Sequence, residues 1–292
     1  MHIRSTLLFV SAIAALLGCV EEPAPPVRPD IRAVTLQGAV APTPIPPADV
    51  VARIDLSGFV GRVSGVAIEP DTGRRLLLLE QGSIVELESG EELWSGVAPQ
   101  GGSAFGDLVA LGDGRVAITS VSDGYLVDLS TGTITPHFCY EPGWWDEPGQ
   151  DPVQVSQAVA YDAEAGLLYA QPRTIDQGGF GAVTESFVSA YAEADGADVS
   201  WWSIDDLGFV ATGMAMLEPG RAAGEAQLLL AAERTLYAFD GANAELTPIA
   251  DLSSLDITAA NGIALDREAR TLLVIDADAQ ALVEVRLSAL GL

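Results

Sequence analysis

The chain has 292 residues and a formal net charge of −27, from 41 Asp and Glu against 14 basic residues. Every basic residue is Arg, so no lysine is present for Schiff-base chemistry. So acidic a balance argues against nucleic acid, whose phosphates need a basic face, and 49% hydrophobic residues exclude a disordered acidic tail.

The chain opens with Arg4 and the apolar run from Leu7 to Ala15. This run is too short to span a bilayer and reads as a secretory signal over residues 1–18. The segment ends in Leu16-Leu17-Gly18-Cys19, which resembles the bacterial lipobox. The resemblance implies cleavage before Cys19 and acylation of Cys19, and several acyl chains anchor a protein far more firmly than one. Val20 stands where an inner-membrane retention signal has Asp. By resemblance to Gram-negative lipoproteins, the expected place is the outer membrane. Residues 19–47 read as the acylated Cys and a tether, with Pro at 23, 25, 26, 29, 42, 44, 46 and 47. Pro-rich chains are extended and semi-rigid. The run from Ile31 to Val40 has strand character but is kept in the tether.

From residue 48 to 292 the chain repeats itself. Five pentads recur: Ser64-Gly65-Val66-Ala67-Ile68, Asp107-Leu108-Val109-Ala110-Leu111, Gln157-Ala158-Val159-Ala160-Tyr161, Thr212-Gly213-Met214-Ala215-Met216 and Asn261-Gly262-Ile263-Ala264-Leu265. Each has a polar first place and Ala in the fourth, with large apolar residues on either side of it. After each come a turn and further strand-like runs, such as Leu76–Leu79 and Ile84–Leu87 in the first unit. Gln81-Gly82 and Asp123-Gly124 read as hairpin turns between such runs. Four strands per unit of 40–50 residues is the signature of an all-β propeller blade. Five blades of four antiparallel strands are expected, with six as the alternative if residues 137–155 or the long third unit hide a degenerate copy. The last unit ends after three strands, and Val50 to Leu56 is a spare strand ahead of the first, so the N-terminal strand is expected to close the last blade. Ala in the fourth place is expected to face a narrow axis that admits no larger side chain.

Asn261-Gly262-Ile263-Ala264-Leu265-Asp266, followed by Arg270-Thr271-Leu272-Leu273-Val274-Ile275-Asp276, resembles the blade motif of the NHL-repeat, gluconolactonase (senescence-marker-protein-like) and YncE-like propellers. In the lactonase branch a divalent metal, often calcium, sits at the channel top, held in part by a Glu and an Asn that each precede a Gly. Asn261 matches that Asn, but Ser64 stands in the place of the Glu. The resemblance therefore implies a polar ring of Ser64, Asp107, Gln157, Thr212 and Asn261 around one mouth as a binding candidate, with Asp107 and Asn261 its only candidate calcium ligands. One carboxylate is few for calcium, which takes 6–8 oxygens, so the reading is that no cofactor is required.

His137 and Cys139 lie two apart on a strand-like stretch and share a face, but lack the further ligands a zinc site needs. The loop Glu141 to Gly149 carries Trp144, Trp145 and Asp146, a candidate ligand loop in which an exposed Trp beside carboxylates suits a sugar or a protein partner. Trp201-Trp202 reads as packing. The sequence thus favours a non-enzymatic, envelope-anchored propeller that binds or scaffolds a partner. The partner classes are an envelope protein or a glycan, besides the membrane held by the lipid. Two alternatives stay open: a metal-assisted, lactonase-like hydrolase at the channel mouth, and a carbohydrate-binding propeller using Trp144 and Trp145.

Overall fold

In the computed structural model, the residues described are 31–37, 41–96, 105–120, 123–139, 153–155, 158–175, 183–204 and 210–292. They form five antiparallel sheets arranged as the blades of a propeller. Blade 1 runs Val63–Ile68, Arg75–Leu79, Ser83–Glu86 and Glu92–Ser95 from axis to rim. Blade 2 runs Leu108–Gly112, Arg115–Thr119, Asp123–Asp128 and Thr133–Cys139. Blade 3 has Val159–Asp162, Leu167–Ala170, Val183–Ala192 and Asp198–Ser203. Blade 4 has Gly213–Glu218, Gln227–Ala232, Thr235–Asp240 and Glu245–Asp251. Blade 5 has Ala260–Asp266, Thr271–Asp276 and Ala281–Arg286, and its rim strand is the N-terminal Val50–Asp55, antiparallel to Ala281–Arg286. Closure thus joins the two ends of the domain, as the spare strand predicts.

Among the described residues the long third unit forms no sixth blade. Its strand Val183–Ala192 is long enough to pair twice, its second half with Leu167–Ala170 and its first with Arg173–Ile175. Arg173–Ile175 in turn pairs with Val153–Val155, so the extra residues extend one sheet. Asp123-Gly124 is not a turn either. Both lie in the strand, and a Cβ on Gly124 would meet the Phe138 ring at 2.0 Å, so glycine here makes room for a cross-strand aromatic.

Alternation along each strand sends successive side chains to opposite faces of a blade. The core is accordingly split into five clusters, one per gap between neighbouring blades. Ala67, Ala160, Ala215 and Ala264 each point into the gap ahead, towards blades 2, 4, 5 and 1. The fourth-place Ala is therefore small because adjacent blades approach closest at the inner end of the gap, rather than because it fills the axis. Trp202 is buried, its indole N–H donating to the Gly241 carbonyl at 3.0 Å and its ring edge-on to Phe239.

Part of the segment that the sequence assigns to a tether is packed. Ile31–Ala33 adds in parallel to the rim strand of blade 3, and Thr35–Leu36 and Thr43–Pro44 add in parallel to that of blade 4. Between them, Val34 enters the gap from blade 3 to blade 4 and Ile45 that from blade 4 to blade 5. Arg32 fastens the belt, donating to the carbonyls of Gly224 and Gly241 at 3.0 and 3.1 Å. The chain then turns through Pro47–Asp49 into the closing strand.

Two stability effects follow from this packing. Ala160→Leu is expected to overpack the gap between blades 3 and 4 at a cost of about 1–3 kcal/mol, read as a lower denaturant midpoint; an unchanged midpoint would mean that the gap has room. Ile45 is 0% exposed, so Ile45→Ala is expected to cost about 2–5 kcal/mol in the same measurement, whereas a free tether would tolerate it.

Candidate functional site

The inner strands meet at the axis, and glycine makes this possible. A Cβ on Gly262 would stand 2.7 Å from the Gly65 Cα, and one on Gly213 would stand 2.9 Å from the Gly262 Cα. Gly262 also has φ +74°, a left-handed conformation that a β-carbon disfavours. Into this crowded centre blade 2 inserts the side chain of Asp107, which is 0% exposed and lies against Gly65. One carboxylate oxygen accepts from the Leu108 N–H of its own blade at 2.9 Å. The other accepts from the Val159 N–H of blade 3 at 3.3 Å, and the Met214 amide of blade 4 also favours the charged form of the carboxylate. Burial pushes this carboxyl well above the usual carboxylate range, and the three amides pull against that shift without cancelling it.

Asp107 thus stands one place off the pentad alignment. Leu108 and Ala110 face blade 1 while Val109 faces blade 3, so Val109 takes the place that Ala67 holds in blade 1, and Asp107 takes that of Gly65. Of the other ring candidates, Ser64 is buried and donates to the Leu78 carbonyl at 3.3 Å. The Thr212 hydroxyl donates to the carbonyls of Ala231 and Ala260. Asn261 is half-buried beside Gly262, and the Gly262 N–H bonds to the Thr212 carbonyl at 2.8 Å. Gln157 lies outside the described residues. Ser64, Asp107, Thr212 and Asn261 are therefore gathered at one end of the axis, where Ser64, Asp107 and Thr212 bond chiefly to main chain. Asp107 and Asn261 as placed do not fit calcium: the carboxylate oxygens face amide hydrogens, which repel a cation. Among the described residues no group of three or more His, Cys, Asp or Glu is gathered as a metal would require.

The opposite end of the axis is open. A funnel of about 960 Å³ begins at the level of Val66, Leu108, Met214 and Ile263, just beyond the glycines, and widens past Ala67, Ala110, Ala160, Ala215 and Ala264. All five pentad alanines line it. The amides of Leu108, Val159 and Met214 turn to the axis to reach Asp107. Antiparallel strands repeat this every second residue, so Ala110 and Tyr161 direct their main-chain groups into the funnel. Its rim is made by the loops linking first and second strands; Glu69, Asp71, Glu164, Asp266, Glu268 and Arg267 line it, and the same loops also carry Arg74, Arg221 and Arg270.

Each gap between blades also has a polar clasp. Asp71 accepts from the Asp113 N–H at 2.9 Å, joining blades 1 and 2. Arg115 pairs with Glu193 at 3.0 Å, joining blades 2 and 3. Glu193 also receives the Tyr161 hydroxyl, whose pKa burial and that carboxylate push up to about 12. Asp162, fully buried, accepts the Gly220 N–H at 2.9 Å between blades 3 and 4. Arg267 donates to the carbonyls of Met216 and Leu217 at 2.8 Å, joining blades 5 and 4, and Arg75 stands 3.6 Å from Glu284 between blades 1 and 5. No repeat or spacing marks these pairs in the sequence.

The remaining sequence candidates separate. His137 is half-buried on the rim strand of blade 2, and burial lowers its pKa below the ordinary histidine value. Its neighbour Phe138 stacks on Tyr191 with centroids 4.5 Å apart. Trp144, Trp145, Asp146 and Cys19 lie outside the described residues.

Asp107→Asn turns an amide N–H₂ towards a backbone N–H and is expected to destabilise the ring by about 1–3 kcal/mol near pH 4. Because the folded carboxyl has a raised pKa, its contribution is full below the unfolded value of about 3.9 and is lost as pH rises through the folded value. The stability gap between wild type and variant should therefore widen as pH falls from 7 to 4. A constant gap in denaturant titrations would mean that the carboxylate is not desolvated.

No protein-family model matches the chain, and no curated protein sequence matches it. Among solved structures it is similar to a chain of the "Crystal Structure of Mitotic Checkpoint Complex", with 12% identity and a TM-score of 0.43, over 88% of this chain and 99% of that one. So remote a likeness says nothing of function.

Proposed function

We propose that the protein is a non-enzymatic binding propeller of the cell envelope, anchored in an outer membrane through acylated Cys19, with the funnel as its binding face. The observation that carries the reading is the build of the axis. One end is filled by glycine and by a carboxylate bonded to backbone amides, and the other is a blind, clasped cavity with a charged rim. Cavities of roughly 300–1,000 Å³ with a few convergent polar groups are the usual form of ligand sites. The loops that carry the rim charge sit on a rigid ring, so binding orders little that is not already ordered.

The anchor is supported by Leu16-Leu17-Gly18-Cys19 and by the Pro content that follows. Eleven residues separate Cys19 from the belt at Ile31, a reach of roughly 34 Å as polyproline II. Among the described residues no helix is long and apolar enough to cross a membrane.

Labelled palmitate should enter the wild type and not Cys19→Ala; label retained by the variant would remove the anchor from the reading. Envelope material held by the protein should dissociate as salt rises from roughly 50 to 300 mM, because screening shortens over that range. It should also be lost in the triple variant Asp71→Lys, Glu164→Lys, Glu268→Lys, whose three positions are exposed. Retention by that variant with unchanged salt dependence would take the binding face away from the funnel.

A further inference from the structure

The belt is held unevenly along its length. Of its described residues ahead of Ile45, only Val34 is buried, while Ile31 and Leu36 are 44% and 42% exposed. Its strands are two or three residues long and pair in parallel, the weaker arrangement per residue. Pro44 has no N–H to offer a neighbour. Val34 donates to the Ser203 carbonyl at 2.8 Å, and Thr35 and Gln37 donate to those of Ala244 and Leu246 at 2.9 Å. Arg32 adds its two bonds, one of them to the Gly241 carbonyl, which also accepts the Trp202 indole N–H. Beyond this point the grip changes. Ile45 is 0% exposed and its N–H donates to the Ser254 hydroxyl at 2.9 Å. The chain then becomes the six-residue antiparallel rim strand of blade 5.

We infer that the belt is a releasable strap, latched by Val34 and Arg32 and hinged at Ile45, which sets how far the ring stands from its anchor. Withdrawing Ile31–Gln37 and Thr43–Pro44 uncovers one buried side chain, Val34, and returns the rim edges of blades 3 and 4 to water. The Gly241 carbonyl keeps its indole partner. The ring keeps its sheets, because blades 3 and 4 each have four strands without the belt. Segments with few buried apolar contacts open locally, ahead of the global transition. Once released, the chain from Ile31 to Pro44 adds fourteen residues to the tether, roughly 43 Å as polyproline II. The reach rests on the anchor proposed at Cys19, and the release does not.

Hydrogen exchange on the Cys19→Ala chain tests the release in the absence of lipid. The amides of Val34, Thr35 and Gln37 are expected to exchange at least about a hundred-fold faster than those of Thr212 and Gly262, which bond within the ring. Their rates should be insensitive to low denaturant, because local opening exposes little surface. Val34→Ala and, separately, Arg32→Ala should speed the three belt amides by about ten-fold and leave Thr212 and Gly262 unchanged. Each should lower the denaturant midpoint far less than Ile45→Ala, since a change in a strap costs the ring no more than the strap's release. Belt and ring amides that exchange in step, with one denaturant dependence, would overturn the release. The reach is read by neutron reflectometry of the acylated chain on a supported bilayer, where Val34→Asp should move the ring outward by up to the length of the strap. An unchanged separation would overturn the reach and leave the release standing. If the palmitate experiment removes the anchor, the reach falls with it, and the exchange result still decides the release.

Discussion

The geometry of the axis is the constraint on which the molecule depends. Five strands that converge on one line leave no room for side chains where they meet, and a Cβ at Gly65, Gly213 or Gly262 would fall within 3 Å of a neighbouring backbone. Converging backbones also bring together amide groups that no sheet ladder can satisfy, because each inner strand has a partner on one side only. An unpaired buried N–H is costly. Asp107 answers two of them at once, from blades 2 and 3. The carboxylate is destabilised as a charge and stabilising as an acceptor, and the ring tolerates the first for the sake of the second. With the centre fixed, the blades splay outwards. The remaining volume appears as five apolar gaps and, at the far end, as the funnel.

The repeat made the fold legible. Five polar-first, Ala-fourth pentads reported the inner strands because a single packing environment for Ala recurs in four of the five blades, and the missing fourth strand of the last unit pointed to Val50–Asp55. The blade count stayed open because the length of the third unit has two readings, and only pairing distinguishes a second sheet from an extension of the same one. In blade 2 the alignment by Ala misled. It placed Asp107 in a ring of polar residues, whereas the packing faces put it in the glycine position. Both registers keep the hydrophobic alternation, so period alone could not choose. The belt was missed for a different reason: its strands are two or three residues long and flanked by proline, below any periodic signal. The funnel was invisible because its acidic residues sit on loops of different blades, and in a chain this rich in carboxylates their presence says nothing about their convergence.

Much of the acidic surplus has local work in the turns. Asp128 accepts from the amides of Ser130 and Thr131, Asp240 from those of Ala242 and Asn243, and Asp162 from those of Glu164 and Ala165. A carboxylate at the end of a strand ties the following hairpin by bonding amides two and three residues on. Such amides hold the carboxyl of Asp128 below the ordinary range, the hydroxyl of Ser130 contributing most. The same residue type thus serves three purposes: a tied turn, a clasp between blades as at Asp71 and Asp162, and an amide acceptor at the axis.

The belt and closing strand set an order in time. Residues 31–55 are made first, yet every strand among them pairs with residues 198–203, 245–251 or 281–285, and Arg286 reaches back to the Ala48 carbonyl. Blades 1 and 2 can form as they emerge, but blade 5 has no rim strand until the last thirty residues are available to meet the first part of the domain. The entropy of closing so long a loop grows only slowly with its length, so the contact is affordable, but it cannot be made early. The ring therefore stays open, and its cooperative stability deferred, until Ala281–Arg286 is made and can receive Val50–Asp55.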